Sequence, residues 1–226
     1  MSALICTPAY GGMLTVGYFR SAFNIKNDPR SAGVDFLVTE GESHVTRARN
    51  NLVATFLNQT DLDTLVFIDA DIEMQADDFF DLLSFDSLSG SDSLSDSTLL
   101  SGGGVRGAAV ACKTADRSEV LSVWADGRRP SRSDLGTEPR AVDFLGSAVL
   151  AIDRTVFERL AASEAVSSYS DPIVGTAWDF FRDGVSGDDW LSEDYGFCAL
   201  CASEGVPIVC LPGIKVRHYG LSSWCF

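Results

Sequence analysis

The sequence predicts a single α/β domain, an expectation that rests on three observations. Its 226 residues, 46% of them hydrophobic, are enough for one such domain with a sizeable core and too few for two comfortable ones. Short apolar runs of strand length alternate with stretches of helical periodicity. One run, LVFIDADIEM at Leu65 to Met74, ends abruptly in two carboxylates, Asp69 and Asp71, separated by the small residue Ala70.

In chain order, Leu4 to Thr7 reads as a short strand stopped by Pro8, and the AYGG after it as a loop whose glycines let a ligand approach the backbone. Asp35 to Val38 reads as the second strand. Ser43 to Leu57 then carries helical spacing through Val45, Ala48, Leu52 and Phe56. Thr64 to Ile68 is the third strand, and Ala76 to Leu83 the helix after it, with Asp77 and Asp78 in the first turn, where the helix dipole favours acids. Residues 85–104, rich in Ser, Asp, Gly and Leu, lose any sustained apolar face and read as a mobile surface insertion. Ala108 to Cys112 is a further strand, with Leu121 to Trp124 as an antiparallel partner. AVDFLGSAVLAI at Ala141 to Ile152 holds two strand-like pieces around Gly146. Arg154 to Ala162 and Ser192 to Glu204 read as helices, the second stopped by Gly205. Ile208 to Leu211 and Lys215 to His218 close the series as strands.

In an extended backbone, residues i and i+2 point to the same side, so Asp69 and Asp71 are expected to converge on one cation where the strand leaves the sheet. Ala70 keeps the approach open. Open α/β sheets bind ligands at the carboxyl ends of their strands. Two adjoining carboxylates there repel each other and lose hydration, which drives one to take up a proton unless a cation compensates. Mg²⁺ or Mn²⁺ suits such oxygen ligands. A plainer reading stands beside this one: the acids end the strand and cap the helix that begins near Ala76.

Composition narrows the function classes. A net charge of −15 argues against a nucleic-acid-binding surface, which needs clustered Lys and Arg. The N-terminus lacks the basic flank and long apolar core of a secretory signal, and no apolar run approaches the ~20 residues that span a bilayer. The expectation is a soluble, cytoplasmic protein without a membrane span. Six cysteines lie mostly in apolar segments, which suits buried thiols in a reducing compartment. Cys198 and Cys201 form a lone C-x-x-C inside a helical pattern, weak grounds for zinc or redox chemistry.

Seven motifs follow one another: TPAYGG at Thr7 to Gly12, ARNNLVATFL at Ala48 to Leu57, VFIDADI at Val66 to Ile72 and ACK at Ala111 to Lys113, then FLGSAVLAIDRTVFERL at Phe144 to Leu160, LSEDYGFC at Leu191 to Cys198 and VRHYG at Val216 to Gly220. This ordered series resembles the GT-A glycosyltransferases, particularly the small single-domain ones among viral and microbial enzymes, over almost the whole chain. The insertion at 85–104 departs from the family pattern. The resemblance implies a mixed, mostly parallel central sheet flanked by helices, with 1–226 as one catalytic domain. It implies transfer of a sugar from a nucleotide-diphosphate sugar, UDP by analogy, to a hydroxyl acceptor such as a glycan. A viral enzyme of this kind works in the host cytoplasm. The implied metal ligands are Asp69, Asp71 and His218, with Mn²⁺ or Mg²⁺ as the cofactor. Asp194, and after it Glu193, is the implied general base if configuration inverts. Position alone reads both as first-turn acids after a cap at Ser192.

Around this centre, Tyr10 with Thr7, Pro8 and Ala9 either packs against a nucleobase or packs ordinarily. Arg49 and Asn50 open a helix and face the donor, or Arg49 is a solvated charge. Lys113 follows a strand and is suited to a phosphate. Gly146 and Ser147 permit close approach of the donor sugar, or form a bulge. Trp178, Phe181 and Trp190, set among Gly175, Gly184 and Gly187, read as an acceptor wall or lid, or as core. Two other functions compete: a sugar nucleotidyltransferase, which wants a basic residue that TPAYGGML lacks, and a non-catalytic nucleotide-sugar or glycan-binding domain.

Overall fold

Alternation along the buried strands sets the architecture. In a computed structural model, which describes residues 2–85, 103–113 and 121–220 and the backbone of 224–225, all five residues of the strand Thr64–Ile68 are buried. Leu65 and Phe67 enter one apolar cluster and Val66 and Ile68 a second, as the two-residue period of a strand requires. The neighbouring strands divide in the same way: Leu4 and Cys6 against Ala3 and Ile5, Leu150 and Ile152 against Val149 and Ala151. A sheet apolar on both faces needs cover on both.

Seven strands form that sheet, in the order Val34–Glu40, Ala3–Ala9, Thr64–Ile68, Val149–Asp153, Val105–Gly107, Ile208–Cys210 and Arg140–Ala141. Val149–Asp153 and Arg140–Ala141 run against the other five, so the sheet is mixed and mostly parallel. Helices Val45–Gln59, Arg154–Ala162 and Glu193–Ser203 cover one face through Phe56, Phe157 and Phe197. Helices Val16–Lys26 and Ala76–Ser84 cover the other through Tyr18, Ile25, Phe79 and Leu82. This is the fold class expected from the sequence. No helix among the described residues is long and apolar enough to cross a membrane.

Four local expectations need correction. Helix Val16–Lys26 stands where the sequence pattern gives no element; Thr15 caps it, its side chain accepting a hydrogen bond from the Tyr18 N–H. The strand expected at Ala108 to Cys112 lies instead at Val105–Gly107, because Arg106, which reads as a surface charge, is buried and bonded to Asp153 at 2.8 Å and to the Leu82 carbonyl at 2.9 Å. Val123–Trp124 pairs with Phe144–Leu145, while Leu121 bridges back to Ala111 and Ser122 N–H donates to the Val110 carbonyl at 2.9 Å. The segment read as a lid forms two antiparallel hairpins, Ser168–Asp171 with Gly175–Trp178 and Gly184–Ser186 with Asp189–Leu191. The insertion at 85–104 lies, except for residues 85, 103 and 104, outside the described residues.

Phe157 joins the helices of the larger cluster, its ring 6.3 Å from Phe56, 5.2 Å from Phe180 and 6.0 Å from Phe197. Phe157→Ala should cost about 3–5 kcal/mol, since the cavity lies between several elements that cannot all collapse into it. Urea denaturation measures this, and a loss below ~1 kcal/mol would contradict the packing.

Candidate functional site

The strand Thr64–Ile68 ends in a turn. Ile72 N–H donates to the Asp69 carbonyl at 3.0 Å, and Asp69 N–H donates to the Ala148 carbonyl on the adjacent strand at 3.0 Å. The expectation that Asp69 and Asp71 converge because they lie two apart in extended backbone therefore fails. Asp69 points to Arg49, whose Nη2 is 3.0 Å away. Asp71 pairs with Lys113 and lies 3.4 Å from His218 Nε2. Neither aspartate caps the next helix, which begins after Gln75 without a side-chain cap.

Three neighbours pin the turn. Thr15 donates to the Ala70 carbonyl from both its N–H (2.9 Å) and its hydroxyl (3.2 Å). Tyr219 N–H donates to the Asp71 carbonyl at 2.8 Å. The strand Val216–His218 pairs antiparallel with Ile72–Met74, setting His218 opposite Ile72. In this way the last motif of the chain meets the D-x-D motif across 144 residues or more of sequence.

His218 is oriented from behind. Its Nδ1 lies 2.7 Å from the Ala111 carbonyl; a carbonyl only accepts, so Nδ1 carries the hydrogen and Nε2 is turned to Asp71. Metal-binding histidines are commonly held this way, the second nitrogen donating to a backbone carbonyl. Burial raises the Asp71 carboxyl, but the bonds to His218 and Lys113 outweigh it and leave the pKa below the usual carboxylate value. Asp71 thus carries a negative charge that already draws an ammonium group, and Asp71 with His218 suits a cation. Asp69 does not join them: among the described residues no group of three or more His, Cys, Asp or Glu side chains is placed to share a metal ion.

Arg49 ties this side of the site to the other. It is 3% exposed and its Nε lies 3.3 Å from Glu193 Oε1, while its Cζ stands 4.8 Å over the Phe67 ring. Burial opposes its charge, and Asp69 and Glu193 more than restore it. Its Nη1 is buried with no hydrogen-bond partner among the described residues. Glu193 has a raised pKa, first from burial and then from the nearby Asp194 charge, with Arg49 opposing both. Asp194 Oδ1 accepts from the Ser192 hydroxyl and, at 2.9 Å, from the Tyr195 N–H. Its other oxygen lies 3.5 Å from where a Cβ on Gly146 would stand. That Cβ would also come within 2.6 Å of Ser122, so the glycine admits Ser122.

A cleft of about 240 Å³ opens beside these groups, lined by Pro8, Tyr10, Arg49, Asp69, Ala70 and Asp71 among others. Of the expected donor residues, Pro8, Tyr10, Arg49 and Ala70 reach it. Thr7 is fully buried, bonded to the Tyr18 hydroxyl at 2.6 Å and the Ile68 carbonyl at 2.8 Å. Ala9 and Ser147 are buried too. Asn50 is a core clamp, donating to the Phe181 carbonyl at 3.0 Å and accepting from its N–H at 2.8 Å. Phe181 stacks on Phe197 at 4.4 Å deep in the core, which removes it from any acceptor wall, while the half-buried Trp178 packs on Phe180 at 6.1 Å. Trp190, 67% exposed, remains at the surface. Cys198 and Cys201 are buried, and burial pushes the Cys198 thiol up to about 12, so the pair packs as core. Sequence reasoning missed Thr15 and the Ala111 carbonyl. The threonine carried a cap signal; a carbonyl carries none.

No protein-family model and no curated protein matches this chain. Among solved structures it is similar to A197 from STIV, with 18% sequence identity and a TM-score of 0.59, covering 97% of this chain and 86% of A197. That likeness shows a shared fold. A second structure, CMP:2-keto-3-deoxy-manno-octonic acid synthetase complexed with CTP, aligns over 94% of this chain and 90% of its own with 12% identity and a TM-score of 0.48.

Two outcomes test this geometry. Asn50→Ala should lower stability by about 1–3 kcal/mol for each backbone group it orphans, read from the urea midpoint; an unchanged midpoint would leave the clamp without weight. Asp194→Asn should lower the Glu193 midpoint toward the ordinary glutamate value in a ¹³C carboxyl titration, because it removes a like charge. A midpoint that stays put would contradict the coupling.

Proposed function

We propose that this chain is a GT-A-type glycosyltransferase, a single domain that transfers a sugar from a nucleotide-diphosphate donor, UDP-linked in the first instance, to a hydroxyl acceptor. The observation that carries the reading is Arg49. Its guanidinium gathers Asp69 and Glu193, acids from motifs more than a hundred residues apart, at one edge of the sheet beside a cleft. Among the described residues its buried Nη1 has no hydrogen-bond partner. Open α/β sheets bind ligands at such an edge, outside the carboxyl ends of their strands.

Asp71 and His218 are the residues that would hold Mn²⁺ or Mg²⁺, and Lys113 adds a second positive group beside them. When bound, the cation supplies Lewis-acid stabilisation of the charge that grows on the departing nucleoside diphosphate. Arg49, on the cleft wall, sets a fixed positive charge beside the donor in a dry setting where that charge is little screened. Tyr10, 67% exposed at the cleft mouth, gives the base a ring to rest on. In an inverting transfer Asp194 takes the acceptor proton at the oxygen beside Gly146, since its other oxygen is engaged by Ser192 and Tyr195. Glu193, with its raised pKa, stays with Arg49 and orients it.

The internal pairing of Asp69 with Arg49 and Asp71 with Lys113 favours, as a second reading, a nucleotide-sugar-binding domain without turnover. A screen of UDP-, GDP- and CDP-linked sugars, with and without EDTA, separates the two by following nucleoside diphosphate release. On the transferase reading, release depends on the cation and Asp71→Asn lowers it by about a hundredfold or more, several kcal/mol of lost charge stabilisation. Full turnover in Asp71→Asn would contradict the reading, and nucleotide binding with no turnover would favour the second.

A further inference from the structure

The two-residue turn at Asp126 and Gly127, both at positive φ (55° and 71°), closes a tight hairpin in which Ala125 and Arg128 exchange backbone hydrogen bonds of 2.9 and 3.2 Å. Such a turn fixes register, so Trp124 and Arg129 stand opposite each other on one face. The Arg129 guanidinium lies 5.5 Å from the Trp124 ring centre. On its other side Trp124 pairs in register with Phe144, whose ring is 5.2 Å from Tyr195. A row of half-buried rings, Trp124, Phe144 and Tyr195, therefore runs from Arg129 to the residue next to Asp194.

Arg129 differs from its neighbours. Arg128 holds Asp134 at 3.2 Å and Arg140 holds Asp126 at 2.9 Å. Arg129 is exposed, and among the described residues its guanidinium meets only the Cys112 thiol, at 3.9 Å, besides the Trp124 ring. In a chain of net charge −15, a cation with no carboxylate partner among the described residues is a place for an anion. Its position relates it to the site on both sides. Cys112 precedes Lys113, which pairs with Asp71. The fields of Arg129 and Asp194 both act on Cys112 and on Tyr195.

We infer that Arg129 and the ring row Trp124, Phe144 and Tyr195 form an acceptor subsite for a sugar bearing an oxyanion, a carboxylate or a phosphate. This rests on the transferase reading and names the acceptor class for it. Sugar C–H faces lie against the rings, the acceptor hydroxyl reaches Asp194 at one end, and the fork of Arg129 takes the anionic group at the other. The donor diphosphate belongs to a different group of charges, Asp71, Lys113 and His218, so Arg129 is free to select the acceptor.

Calorimetric titration with methyl β-glucuronide, glucose 6-phosphate and the neutral methyl β-glucoside tests the inference, with UDP plus Mn²⁺ titrated in parallel. The wild-type chain should bind one or both charged sugars about tenfold more tightly than the neutral one, the worth of one charge-assisted bond. Arg129→Gln should erase that preference, Arg129→Lys should keep part of it, and neither should change UDP binding. Equal binding of charged and neutral sugars by the wild type, or a preference that survives in Arg129→Gln, would overturn the subsite. Weakened UDP binding in Arg129→Gln would also overturn it by giving the arginine to the donor. A preference for the charged sugar in a chain that turns over no donor would uphold the subsite and remove the transferase reading.

Discussion

A buried guanidinium must be paired, because an isolated charge in the interior costs several kcal/mol to desolvate. Arg49 meets that demand with Asp69 on one side and Glu193 on the other, over the face of Phe67. Those partners sit on the turn after a central strand and on the first turn of helix Glu193–Ser203. The arginine itself comes from helix Val45–Gln59. Three elements remote in sequence are thereby held at one edge of the sheet, beside the cleft that Arg49 and Asp69 line.

The charge arrangement around the cleft is graded. Asp71 faces Lys113 and His218 and stays ionised more readily than an ordinary carboxylate, whereas Glu193, drier and close to Asp194, is harder to ionise. The supports are rigid: Thr15 and Tyr219 fix the turn backbone, and the Ala111 carbonyl fixes the imidazole.

Much of this was legible in the residues. Thr64–Ile68 and Arg154–Ala162 match their expected bounds because an uninterrupted apolar run and a plain helical stripe leave little ambiguity. Helix Val16–Lys26 is obscured because Phe19 and Phe23 lie on its exposed face, which blurs the apolar period. Val105–Gly107 is obscured by a buried arginine. At the site, the motifs single out Asp71 and His218, which the fold brings within 3.4 Å, and Glu193, which it brings to Arg49. They mislead on Asp69, because period-two logic holds for strands and the chain turns there, and on Thr7, Asn50 and Phe181, whose packing partners are distant in sequence. The row from Arg129 to Tyr195 has no local signature, since strand pairing assembles it.

The proposed hold of Asp71 and His218 on a cation is read by titrating Mn²⁺ with UDP into ¹⁵N-labelled protein and following paramagnetic line broadening. Signals of Asp71, Ala111, Lys113 and His218 should broaden first, at Mn²⁺ levels that leave Ser2, Asp63 and Arg154, at the opposite end of the strand Thr64–Ile68, sharp. Broadening that is absent, or spread evenly over the acidic surface, would contradict the account.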